Sequence, residues 1–196
     1  ARIEPHPRPA RERLMTTSIP IELHPVEDVS AQSAYDAVIS SREALAPWMH
    51  WLTPSYSLRD QQAFQSRSAV LRGAGLEFNY GIVDASGQVL GICGLHRMDM
   101  LHATSEAGYW VRSDHWRRGI ARRAVTALLR RAFREHALAR VELIIDCDNA
   151  PSLALADALQ LRREARLGQR LFRDGQRRDA WLCAATRYEW LQAVAG

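Results

Sequence analysis

The stretch Glu106–Phe133, EAGYWVRSDHWRRGIARRAVTALLRRAF, decides how this chain is read. Ala107, Tyr109 and Val111 alternate with Glu106, Gly108, Trp110 and Arg112, the period-two pattern of a half-buried strand. Ala121, Ala124, Val125, Leu128, Leu129, Ala132 and Phe133 then recur at helical spacing as one apolar stripe, with Arg122, Arg123, Arg130, Arg131 and Arg134 on the other faces. Between strand and helix lies a short basic turn centred on Gly119. A glycine turn that feeds a helix gathers free backbone N–H groups and the positive end of the helix dipole at one point, so it can grip a phosphate or pyrophosphate. A basic strand–helix unit that binds nothing would look alike, so the turn alone leaves both readings standing.

Outward from this segment, composition sets bounds. The chain has 196 residues, the size of one domain at about 100–200 residues each. An apolar fraction of 47% suffices for one core. The net charge of +4, mostly arginine, suits an anionic ligand or simply a charged surface. Zinc-finger spacing, aromatic ribonucleoprotein motifs and a helix-turn-helix signal are all missing, which leaves nucleic-acid binding as a minor alternative. Cys93, Cys147 and Cys183 are odd in number, far apart and each set in an apolar run that reads as strand, so reduced thiols are expected. The 7 histidines show no pair at metal-ligand spacing, and no metal is expected. No apolar run approaches the roughly 18 residues of a membrane span, and no signal-peptide core is visible; cytoplasm is the expected compartment.

Residues 1–18 carry Pro5, Pro7 and Pro9 among charges and read as a disordered extension, with Met15 a candidate natural start; residues 19–196 read as the domain. Within it, 19–24 is a predicted strand, and Val29–Leu45 and Leu58–Leu71 are predicted helices. Phe78–Ile82 and Val89–Leu95 form a hairpin about Ser86 and Gly87. After the opening segment come a strand Val141–Asp146, a short helix beyond Asn149 with Pro151 in its first turn, and a hairpin about Asp174 and Gly175. This order, β-α-α-β-β-β-α-β-α-β-β, describes an α/β domain with a single mixed sheet flanked by helices. Its first half is antiparallel, with a parallel crossover through the long helix to Val141. Ligands of such sheets bind at the carboxyl ends of parallel strands and at helix amino ends, where Gly119 stands.

The words PWMHWL (Pro47–Leu52), GYWV, HWRRGIA, DNAPS and RLFRDGQRRDAWLCAATRYEW, in this order, resemble the GNAT N-acetyltransferase superfamily, and within it the branch that acetylates ribosomal-protein amino termini. The resemblance covers roughly residues 19–190 and implies the GNAT fold, a sheet splayed at its centre. It implies acetyl-CoA as co-substrate, held at the pyrophosphate by the amides of Arg117, Arg118, Gly119, Ile120, Ala121 and Arg122, with arginine charge added. Trp116 stands where the family usually has glutamine or arginine, a change of little weight in a loop that binds through its backbone. The pantetheine arm would pair with the backbone of Trp110 and Val111, a main-chain donor there would stabilise the oxyanion, and Asn149 would bond the arm. Ser152 would donate to the leaving thiolate, although helix capping explains Asn149 or Ser152 equally well on sequence.

An ammonium acceptor must lose a proton before it attacks a thioester. Glu106 is the first candidate for taking it, beside its plain role as a solvated strand-end charge; His96 and Tyr80 are weaker choices, and His115 is a helix-entry residue. No covalent intermediate is indicated, so none of the cysteines is nominated. Trp48 and Trp51 either wall the acceptor pocket or anchor a helix end. The acceptor is an amine, with a protein or peptide N-terminus ahead of polyamines, antibiotics and amino acids. A non-catalytic acyl-CoA-binding module and an RNA-surface binder are the rival readings, and a homodimer is left open by the resemblance.

Overall fold

The computed structural model describes residues 19–173 and 175–195; the expected extension over 1–18 lies outside them. Strand β1 (Ile21–Pro25) leads through a 3-10 turn to helices α1 (Ala31–Ile39), α2 (Arg42–Leu45) and α3 (Leu58–Gly73). Strands β2 (Phe78–Asp84), β3 (Val89–Asp99) and β4 (Thr104–Val111) follow as a meander, then α4 (Ile120–Arg134), β5 (Arg140–Asp146), α5 (Ala150–Ala158), the hairpin β6 (Arg162–Arg173) and β7 (Gln176–Thr186), and α6 (Arg187–Ala195). The 7-stranded sheet runs β1-β2-β3-β4-β5-β7-β6. Every neighbouring pair is antiparallel except β4 with β5, joined by the crossover through α4. This is the mixed sheet expected from the sequence.

Two layers of side chains hold it. On one face α4 buries Ile120, Ala124, Val125, Leu128, Leu129, Ala132 and Phe133 against Tyr80, Ile82, Leu90, Leu95 and Leu143. On the other, Ala34 and Val38 of α1 and Leu45 of α2 meet Val26, Ile92 and Trp110. The basic faces of α4 are partly structural. Arg123 donates to the Ile19 carbonyl at 2.8 Å, and Arg131 donates to the Leu23 carbonyl at 3.1 Å while lying 4.7 Å over the Tyr80 ring. These two arginines fasten the N-terminal strand to α4.

The structure departs from the sequence reading in three places. The single helix expected over Val29–Leu45 is broken at Ser40 and Ser41. Ser40 Oγ bonds back to the Ala37 carbonyl at 3.1 Å, and buried Ser41 Oγ accepts from the Ser113 N–H at 2.9 Å. Serine hydroxyls compete with the helix ladder for backbone groups, a contest that apolar periodicity does not register. Helix α6 follows the last expected strand; its Trp190 packs 5.6 Å from Phe133, so tertiary burial rather than a strong amphipathic pattern defines it. Cys93 and Cys183 are buried in strands, whereas Cys147 sits just past β5 and is partly exposed.

Candidate active site

Strands β4 and β5 pair only at Thr104–Arg140, Ser105–Val141 and Glu106–Glu142. Beyond Glu106 they part, because β4 stays with β3 as far as Val111 while β5 pairs with β7 along its whole length to Asp146. A strand can follow only one neighbour once two sheet halves twist apart. The gap opens into a cleft of ≈ 1000 Å³, bordered by Ala107–Trp110 on one side and by Leu143–Asp146, Asn149 and Ser152 on the other. The backbone of Gly108–Val111 thus has no strand partner on its β5 side.

The basic turn follows β4. Arg117 and Gly119 both take left-handed backbone angles, φ 60 and φ 70, and Gly119 is the N-cap of α4 with no side chain to cap it. A Cβ at Gly119 would be strained by that φ and would lie 3.2 Å from Arg123 Nη1. The first turn of α4 holds no acidic residue, and no described residue pairs with the guanidinium groups of Arg117, Arg118 or Arg122. Cations at a helix N-terminus oppose the dipole, so this arrangement suits an anion bound between them. Asp114 is occupied elsewhere: Arg112 and then His115 hold its carboxyl at about 2. Trp116 Nε1 donates to the Val111 carbonyl at 2.8 Å, bracing the turn against the end of β4.

Midway along the gap, Tyr109 of β4 donates its hydroxyl to Ser152 Oγ of α5 at 3.1 Å. Burial pushes the Tyr109 phenol up, against a smaller downward pull from Ser152, so it stays protonated. Asn149 is the N-cap of α5: its Oδ1 accepts from the Ser152 N–H at 3.1 Å. The capping role is therefore real for Asn149, and it fixes Ser152 with its hydroxyl at the gap.

The acceptor end lies over the sheet face opposite α4. Its floor includes Gly94 and Gly108, directly opposed in register, followed by the opposed pair His96 and Glu106. A Cβ at Gly94 would come 2.2 Å from Asn79 Oδ1, so only glycine fits there. Trp51 packs in tilted contacts, 5.4 Å from Tyr56 and 6.4 Å from Trp110 between ring centroids, while Trp48 faces Arg173 at 4.6 Å; both tryptophans wall the cleft. Burial, then the charge of Asp60, raises the Tyr56 phenol to about 12, and Tyr56 donates to Gln61 at 2.7 Å. Glu106 is on the floor, but Arg97 at 2.9 Å and Arg170 at 3.6 Å hold its carboxylate. Tyr80 is on the other face, buried between Arg72 and Arg131, each 4.7 Å from its ring, and does not reach the cleft.

The structure thus brings Trp110, Asn149, Ser152 and Glu106 around one cleft, with Val111 at the end of β4 and Gly119 in the turn that follows it. Sequence reasoning did not foresee the Tyr109–Ser152 bond, the bare floor made by Gly94 and Gly108, or Arg170 and Arg173 reaching in from β6. The glycines in GICG and EAGYW were the available signal, but their opposition depends on a register that sequence does not display.

A splayed parallel pair with a glycine turn at its head is the arrangement that the resemblance in the sequence implies. The family described as acetyltransferase (GNAT) domain matches residues 21–162, so the protein is an N-acetyltransferase of the GNAT type. The chain is 28% identical over 109 residues to the uncharacterized N-acetyltransferase p20 of Bacillus licheniformis, spanning 56% of this chain and 61% of that protein. It is 23% identical over 136 residues to the ribosomal-protein-serine acetyltransferase of Escherichia coli K12, covering 69% and 75% of the two chains. Among solved structures, the ribosomal L7/L12 alpha-N-protein acetyltransferase RimL, in complex with coenzyme A, superposes with a TM-score of 0.77 at 18% identity, over 85% of this chain and 93% of that one.

Proposed function

We propose that this protein transfers the acetyl group of acetyl-CoA directly to the free amino terminus of a protein or peptide. The observation that carries the reading is the gap between β4 and β5, with an uncapped basic turn at its head and the Tyr109–Ser152 pair midway along it. Bound acetyl-CoA would supply an activated thioester carbonyl. The amides of Arg117 to Arg122 and the side chains of Arg117, Arg118 and Arg122 would hold the pyrophosphate. The unpaired backbone at Trp110 and Val111 would receive the pantetheine arm as a strand and offer an N–H to the charge developing on the carbonyl oxygen. Asn149 would flank the arm, and Ser152, its own oxygen already accepting from Tyr109, is left with its hydroxyl proton to give to the departing sulfur. Glu106, paired with Arg97 and Arg170, would stand on the cleft floor beside the acceptor amine.

The cleft of ≈ 1000 Å³ runs between Phe64 and Arg67 of α3 and Arg170 and Arg173 of β6, and its volume is at the upper end for a small-molecule site. The relative that acts on a ribosomal protein supports a protein acceptor. Release of free thiol from acetyl-CoA, measured with amino-terminal peptides, polyamines, aminoglycosides and an acceptor-free control, tests the reading. Turnover confined to the peptides supports it; turnover confined to polyamines or aminoglycosides replaces the acceptor, and binding of acetyl-CoA with no turnover for any amine supports a non-catalytic module.

A further inference from the structure

Resting on that acyltransfer reading, we infer that His96, oriented by Glu77, is the group that takes the proton from the acceptor amine, and that it suits α-amines rather than alkylamines. The opposed glycines clear the floor beneath the imidazole. His96 Nε2 lies 3.5 Å from the position a Cβ of Gly108 would occupy, and Cε1 lies 3.1 Å from that of Gly94. Nδ1 faces Glu77 Oε2 at 3.8 Å, and Nε2 lies on the side of Gly108, two residues past the last β4 residue paired with β5. A reacting carbonyl set against the edge of β4 at Trp110 and Val111, on the side that β5 has left, is two to three residues along the strand from Gly108. Glu106 stands directly opposite His96 in register, where pairing with β5 still holds, but its carboxylate is committed to Arg97 and Arg170.

The charges around His96 come from four elements and the segment before β2: Asp60 and Arg67 on α3, Glu77 before β2, Arg97 on its own strand, Glu106 on β4 and Arg170 on β6. Burial outweighs the pull of Glu77 and Glu106 and pushes the imidazole below its ordinary value, with Arg67 adding to the shift. At neutral pH the ring is therefore uncharged, with a lone pair for the incoming proton. The acceptor ammonium gives one proton to Nε2, from which it passes to solvent. The amine nitrogen then forms its bond to the acetyl carbon as the carbon–sulfur bond breaks; its second proton leaves to the emptied Nε2 and on to solvent, while Ser152 gives its hydroxyl proton to sulfur and regains one from solvent, so that an ammonium and a thioester yield an amide, a thiol and one released proton. A weak base suits a weakly basic amine. At neutral pH the uncharged fraction of an α-amine exceeds that of a lysine-type amine by roughly two orders of magnitude.

The test uses the full chain, acetyl-CoA and a serine- or alanine-initiated peptide, with kcat followed from about pH 5 to 9 at saturation, where titration of the free peptide drops out. His96→Gln is expected to lower kcat by about 100-fold and abolish the acidic limb, with coenzyme affinity by calorimetry unchanged. His96→Ala is expected to regain rate with added imidazole, which a merely structural role would not produce. A His96→Gln enzyme within about threefold of wild type that keeps its acidic limb overturns the assignment while leaving acyl transfer intact. Loss of the limb in Glu106→Gln but not in His96→Gln does the same and gives the proton to Glu106. A wild-type chain that binds acetyl-CoA but acetylates no amine overturns the acyltransfer reading, and this assignment with it.

Discussion

Tyr109 and Ser152 meet at 3.1 Å across the gap where β4 and β5 separate, one on a strand and the other on the first turn of a helix. With the phenol held protonated by burial, Ser152 is the member of the pair that can still donate outward. Ser152→Ala is expected to reduce kcat by roughly 10–100-fold with little change in coenzyme affinity. Because Tyr109 acts through Ser152, Tyr109→Phe in the Ser152→Ala background should cost much less than it does alone. Additive losses in steady-state rates would show that the two act separately.

The basic turn makes a prediction in two directions. Gly119→Glu places a side chain and a negative charge at a position with φ 70 where an anion would sit, and coenzyme binding by calorimetry should be lost. Arg118→Gln removes a cation from the positive end of α4, so the ligand-free protein should gain a few tenths of a kcal/mol. The same variant should bind coenzyme A more weakly while binding of a pantetheine lacking the pyrophosphate is spared. Equal losses for both ligands would remove the phosphate role.

Gln65 offers a test of the packing beneath the acceptor wall. Its buried Nε2 donates to the Val26 carbonyl at 2.6 Å and the Val29 carbonyl at 3.0 Å, tying α3 to the segment that enters α1. Gln65→Met keeps the bulk but strands both acceptors, and is expected to cost about 1–3 kcal/mol in urea denaturation. A loss within experimental error would mean that water takes over both carbonyls.

Stability should fall in mild acid. His136 packs on Phe78 with ring centroids 3.8 Å apart, and burial lowers its titration point, opposed by Glu135 and aided by Arg72 and Arg131. A histidine with a depressed folded-state pKa binds fewer protons folded than unfolded. Its contribution is present above the ordinary value near ~6.5 and is lost as pH drops through and below it; His96 acts in the same direction. Asp114 and Glu164, both held at about 2, lose their contributions only below the ordinary carboxylate range. The thermal midpoint should therefore decline between about pH 7 and 5, and His136→Gln should flatten that decline. An unchanged slope in the variant would assign the acid sensitivity to other groups.

The sequence by itself determined the elements and their chemistry at the turn. The stripe from Ala124 to Phe133, the alternation around Tyr109 and the glycine at 119 are local patterns, set by residues a few positions apart, and each survives unchanged in the fold. Asn149 and Pro151 marked the start of α5 for the same reason. Tertiary structure alone decided which residues meet. The splitting of β4 from β5 after Glu106, the crossing of Tyr109 to Ser152 and the opposition of Gly94 to Gly108 depend on strand register and on competition between neighbouring strands for the same backbone groups. The fate of the charges was equally invisible. Arg123 and Arg131 look like Arg122 along the helix, yet they bind carbonyls of the N-terminal segment, because only the folded chain brings Ile19 and Leu23 within their reach.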